Sequence, residues 1–221
     1  MKRGWLLFLP LFCLGNLFPG PVAGHKVETI GACTNTEVGD AVKGALNPEG
    51  FRITGSSGIL CEVWLRKVIP QKAGSTGSAY NTIANGAFIG VITYPSKAGD
   101  YRGQGIKPGT YTMRYHTIPQ DGNHVGAAPV PDFFLLVPAS ADKNPNALIE
   151  FQEAANLSKQ ASGTNLPSPL SLTASTGGGT LAFREANESD SALETKTKAK
   201  PVGDGAEVDF PLAVILIGKA E

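Results

Sequence analysis

No surplus of either charge marks this chain of 221 residues: 19 Lys and Arg stand against 19 Asp and Glu. Basic residues do not cluster into a run, whereas a nucleic-acid binder usually carries a basic patch or stripe, so that class of partner is excluded. Long apolar stretches are also lacking. The N-terminal one covers residues 6–18 and is broken by Pro10 and Gly15, while a spanning helix needs roughly 20 apolar residues. Three catalytic signatures are missing as well. Residues 55–58 and 74–77 do not complete a Gly-x-Ser-x-Gly nucleophile elbow, and there is neither a His-Glu-x-x-His zinc helix nor a phosphate-cradling loop ending in Lys-Ser/Thr.

What is present begins with Lys2 and Arg3, an apolar run from Trp5 to Phe18 and small residues ending near Gly24. That order reads as a secretory signal peptide over residues 1–24, cut after Gly24, with a cut after Ala23 as the alternative. Ile30-Gly31-Ala32-Cys33 is similar to a lipobox, but His25, Lys26 and Glu28 separate it from the apolar run that it should follow directly. Removing residues 1–24 takes away Lys2 and Arg3 and leaves 17 basic against 19 acidic side chains. The remaining 25–221 suit a single domain with a substantial core, exported to a periplasmic or extracellular space and without a membrane span.

Cysteine is scarce: there are three, and Cys13 leaves with the leader. In an oxidising compartment the even pair Cys33 and Cys61 reads as a disulfide. It would stabilise the fold by about 3.6 kcal/mol in the chain-entropy model. Two buried thiols are the alternative.

Downstream, Val38, Ala41, Val42, Ala45 and Leu46 recur at helical spacing and predict a short helix over 36–46. Strand signals then dominate. Residues 51–54 lead through Gly55-Ser56-Ser57-Gly58 into a strand over 59–69, with Ile59, Cys61, Val63 and Leu65 on one face and Glu62, Trp64 and Arg66 on the other. Further strands are expected over 87–94, 109–118, 133–137, 147–151, 180–184 and 206–218. Residues 158–179 carry no clear periodicity, and the polar run 187–200 reads as an exposed loop. This pattern predicts a mainly-β, two-layer antiparallel β-sandwich with one short N-terminal helix.

Residues 105–115, Gly-Ile-Lys-Pro-Gly-Thr-Tyr-Thr-Met-Arg-Tyr, carry a Pro-Gly-x-Tyr pattern that resembles the strand start of transthyretin-like and Cna B-type sandwich modules. The longer span through Asp121-Gly122-Asn123-His124 and Asp132-Phe133-Phe134 resembles uncharacterised exported bacterial β-sandwich proteins. The resemblance implies a secreted sandwich and assigns no catalytic residue.

Candidate site residues follow from chemistry alone. His116, Asp121, His124 and Asp132 form an imidazole and carboxylate set suited to a divalent metal such as zinc or copper, although Asp121-Gly122-Asn123 is also ordinary turn chemistry. Arg102 and Arg114 suit an anionic ligand held by bidentate hydrogen bonds. Trp64 suits carbohydrate stacking, or else covers the sheet. Two functions are therefore expected. The leading one is a non-catalytic exported sandwich, without a cofactor, that binds a protein, an envelope component or a small ligand. The other is a metal-binding protein or metal-dependent hydrolase centred on His116 and His124.

Overall fold

The computed structural model describes Val22 and residues 24–101, 103–118, 130–176 and 178–218. Strict alternation builds the first long strands. β1 (Lys26–Ile30), β2 (Gly50–Gly55) and β3 (Gly58–Leu65) form a meander in which Cys61, Val63 and Leu65 face the core and Trp64 faces away. β4 (Val68–Gln71) leaves this sheet, and β5 (Phe88–Tyr94) returns to it. Next, β6 (Ala98–Gly99) and β7 (Gly105–Ile106) pair as a small hairpin. β8 (Gly109–Thr117), β9 (Asp132–Pro138) and β10 (Pro169–Ser171) complete a seven-stranded antiparallel sheet in the order β1-β2-β3-β5-β8-β9-β10.

A second sheet lies against it. β12 (Ser191–Pro201) pairs along its length with β13 (Val208–Ile217). Its other side takes β11 (Ala182–Glu185) at one end and β4, in parallel, at the other. The fold is therefore a mainly-β sandwich, antiparallel except for that one pair. Between the sheets lies one core in which Ile53, Cys61, Leu65, Ile92 and Tyr115 meet Phe183, Leu193, Phe210 and Leu212.

Both margins of the sandwich are stitched. At one, Leu172 bridges to Val214, and the Thr173 N–H donates to the Ala213 carbonyl at 3.0 Å. The Tyr80 hydroxyl reinforces this seam, donating to Thr173 O at 2.8 Å and accepting from Ala213 N at 2.9 Å. At the other margin the His25 ring lies 5.4 Å from that of Phe183.

Three expectations change. The polar run 187–200 is not a loop: it contains most of β12, with Leu193, Thr195, Thr197 and Ala199 buried and Lys196, Lys198 and Lys200 exposed. Small and β-branched residues inside with lysines outside satisfy a strand's two-residue period, although the composition reads as solvated. Residues 147–151 are not a strand but lead into a second helix, α2 (Phe151–Ser162), whose inner face of Ala154, Ala155, Ser158, Ala161 and Ser162 is too small to register as apolar. Gly163, at φ +70°, ends it in the left-handed conformation that suits glycine. Lastly, the helix expected over 36–46 is reduced to a six-residue turn, α1 (Asp40–Ala45), preceded by Gly39 without a side-chain cap.

The disulfide is also corrected. Cys33 and Cys61 are both free and buried. Cys61 lies in the inter-sheet core, whereas Cys33 packs on the outer face of the large sheet with Val38, Val42 and Trp64. The sheet itself stands between the two sulfurs.

Candidate functional site

On the outer face of the large sheet the register lines up one polar residue from each of five successive strands. Glu28 is opposite Arg52, Arg52 opposite Glu62, Glu62 opposite Thr93 and Thr93 opposite Thr110. With neighbouring strands about 4.8 Å apart, these side chains form a straight row. Residues 30–35 rise beside it as a wall. They are held by the Trp64 indole N–H, which donates to Gly31 O at 2.9 Å, and by Asn35 Nδ2, which donates to Thr110 Oγ1 at 2.7 Å. Floor and wall enclose a groove of about 300 Å³ lined by Ile30, Ala32, Asn35, Arg52, Glu62 and Thr93, among others.

Charge in the groove is balanced internally. Arg52 binds Glu62 Oε1 through Nε at 2.8 Å and through Nη2 at 2.6 Å, and its Nη1 lies 3.8 Å from Glu28. Lys26 closes on Glu28 at 2.7 Å, and with Arg52 it holds the Glu28 carboxyl below its usual range. Beyond Glu62 the row becomes neutral, with the Thr93 and Thr110 hydroxyls 3.2 Å apart.

The residues singled out from sequence are distributed differently. Trp64 borders the groove but is only 5% exposed, so it covers the sheet and leaves little ring surface for stacking. Arg114 is wholly buried under residues 139–150. Its Nε and Nη2 grip both Asp142 oxygens at 2.7 and 2.5 Å, and the remaining donors go to the carbonyls of Gly86, Asn144 and Ala147. The guanidinium also lies 5.6 Å from the centre of the Phe88 ring. All five donors are used, so Arg114 fastens a loop to the sheet and has none left for a ligand.

His116 and Asp132 belong to opposite faces. His116 points outward among Phe133 and Phe151, with ring centroids at 6.4 and 5.6 Å, and its Nε2 is buried without a partner among the described residues. Burial and the nearby Arg114 charge lower its pKa to about 4. Asp132 accepts a hydrogen bond from Tyr115 of the inner core. Asp121, His124 and Arg102 lie outside the described residues. Among the described residues no group of three His, Cys, Asp or Glu side chains is placed to hold a metal ion.

Arg52, Thr93, Thr110 and Asn35 escaped the sequence reading. Arg52, Thr93 and Thr110 stand at outward strand positions that only the register brings into one row, and Asn35 reaches that row from a loop through Thr110. Comparison with protein-family models, with curated proteins and with solved structures found no match.

Proposed function

We propose that the protein is an exported, non-catalytic β-sandwich that binds a small ligand or envelope component through the groove lined by Arg52, Glu62, Thr93 and Asn35. The observation that carries this reading is the groove itself. It is a concavity of about 300 Å³, at the small end of ligand pockets, on a rigid sheet with polar groups aimed along one line. Rigid strands hold donors and acceptors to a fixed spacing, which lowers the ordering cost of binding. Export rests on the leader of residues 1–24, with its basic start, apolar run and small-residue end. The Pro-Gly-x-Tyr segment supports the sandwich alone: Tyr111 donates its hydroxyl to Lys107 O at 2.9 Å, tying the strand start to its turn.

The test has two arms. N-terminal sequencing of the protein from the producing cell's exported fraction is expected to begin at His25, or at Gly24 where the alternative cut is used; full-length material confined to the cytosol overturns export. A fragment library screened by ligand-observed NMR is expected to give hits that weaken in an Arg52→Ala, Thr93→Val double variant. Hits that bind this variant undiminished, or that the protein converts chemically, overturn the groove reading.

A further inference from the structure

The polar row is continuous except at one step. On one side, Arg52 commits two donors to the same oxygen, Oε1 of Glu62. Oε2 of Glu62 has no partner among the described residues, and its side chain keeps 21% exposure. On the other side, Asn35, Thr110 and Thr93 form a hydrogen-bonded relay that ends at Thr93 Oγ1. Glu62 and Thr93 are opposite in register, yet no hydrogen bond joins them.

A group that fills this step must donate to a carboxylate oxygen and exchange a hydrogen bond with a hydroxyl. A hydroxyl does both. Opposite residues on adjacent strands have Cβ atoms about 4.5–5.5 Å apart, so a single small ligand reaches both side chains at once. The charge pattern narrows the ligand further. The groove's lining carries one charge of each sign, and these are already paired with each other: Arg52 holds Glu62 at 2.6 Å, so an anion meets the Glu62 carboxylate and a cation must compete with Arg52. Ile30 and Ala32 in the wall offer apolar surface beside the row.

We infer that the groove takes an uncharged polyhydroxyl ligand, a mono- or disaccharide, with one hydroxyl bridging Glu62 Oε2 and Thr93 Oγ1; this rests on the groove being the binding surface. Recognition runs through the hydrogen-bonded row, since Trp64 is only 5% exposed.

The experiment follows backbone amide NMR shifts of the chain lacking residues 1–24 during titration with maltose, cellobiose, lactose and N,N′-diacetylchitobiose, with glucuronate and glucosamine as charged counterparts. A neutral sugar is expected to shift Asn35, Glu62, Thr93 and Thr110, with affinity at least tenfold weaker in Thr93→Val and in Glu62→Gln. Thr93→Val keeps the strand and its shape, so a folded spectrum separates lost binding from lost structure. Saturating shifts at the groove from a charged sugar alone overturn the ligand class and leave the groove as a binding surface. Sugar-induced shifts confined to other parts of the sandwich overturn both. No shift from any of the six overturns the saccharide assignment, and the fragment screen then decides the groove separately.

Discussion

Gly50 lies directly against the indole of Trp64: a Cβ built on Gly50 would stand 2.3 Å from Nε1 and 2.5 Å from Cδ1. The two residues are on adjacent strands, and the indole occupies the space that a side chain at position 50 would fill. Gly50→Ala is therefore expected to force the ring outward, break its hydrogen bond to Gly31 O and open the groove wall. Overpacking of this kind costs about 1–3 kcal/mol. Without residues 1–24, Trp64 is the sole tryptophan, so a red-shifted emission and a lower urea midpoint report both effects. Unchanged emission would show that the sheet absorbs the methyl group without moving the ring.

Arg114 and Asp142 form a charge pair with side-chain exposures of 0% and 2%. Removing one member of a buried pair strands the other, at a cost of about 3–5 kcal/mol. Arg114→Met is expected to lose that much, since it also releases the carbonyls of Gly86, Asn144 and Ala147 and one partner of Asp142. Asp142 additionally accepts from Thr112 Oγ1 at 2.6 Å, so Asp142→Leu is costly too. The Arg114→Met, Asp142→Leu double variant is expected to lose less than the two single losses added together, as measured by a double-mutant cycle in urea. Strict additivity would mean the pair is not coupled.

Much of the fold was legible in the sequence because its largest strands use large residues. β3, β5, β8, β9 and β13 alternate or run apolar, and all lie near their expected positions. The misses share a cause. β12 hides behind threonines and lysines, and the inner face of α2 is alanine and serine, so the periodicity is present but the side chains that carry it are small. The candidate site was far less legible. Trp64 stood out, but Glu28, Arg52, Glu62, Thr93 and Thr110 acquire meaning only from register, which joins residues as distant as Glu28 and Thr110 and leaves no local trace. Conversely, His116 and Asp132 are near neighbours in sequence yet point to opposite faces of the sheet.

The inside-outside logic of β12 can be tested at adjacent positions. Thr195 faces Leu212 across the pair and is 4% exposed, whereas Lys196 faces Pro211 and is exposed. Thr195→Lys would bury an ammonium in the inter-sheet core, where an unpaired charge is very costly, and is expected to abolish the cooperative unfolding transition. Lys196→Thr removes only an exposed 3.5 Å contact with Asp209 and is expected to change stability by no more than about 0.5 kcal/mol. Similar effects at the two positions would return this segment to the surface loop that its composition suggested.

His116 makes the fold acid-sensitive in a defined window. Its pKa is about 4 in the folded chain against an ordinary 6.5, so the folded state holds a neutral ring and the unfolded state takes up a proton first. Its contribution is complete above pH about 6.5, is lost progressively as pH falls toward about 4, and changes no further below that. The total is on the order of 3 kcal/mol. His116→Leu keeps an apolar side chain between Phe133 and Phe151, and the stability difference between variant and wild type is expected to move in the variant's favour as pH is lowered from 7 to 4.5. A difference that stays constant across that range would mean that His116 takes up its proton as readily in the folded chain as in the unfolded one.

Free thiols separate the sandwich described here from the cross-linked one expected from sequence. In denaturant without reductant, the chain lacking residues 1–24 is expected to give two reactive thiols, from Cys33 and Cys61, where a disulfide would give none. Burial raises the pKa of both thiols, most strongly for Cys61 at 0% exposure, where the Glu62 charge adds to the effect. Because the thiolate is the reactive form, both are expected to react slowly in the native protein. Modification of Cys61 should keep pace with global unfolding, since its sulfur lies between the sheets. Cys33, at 8% exposure beneath α1, needs only local opening of that face and is expected to react first. Faster labelling of Cys61 than of Cys33 would mean that the sheets part more readily than α1 lifts, reversing the order of stability that this packing implies.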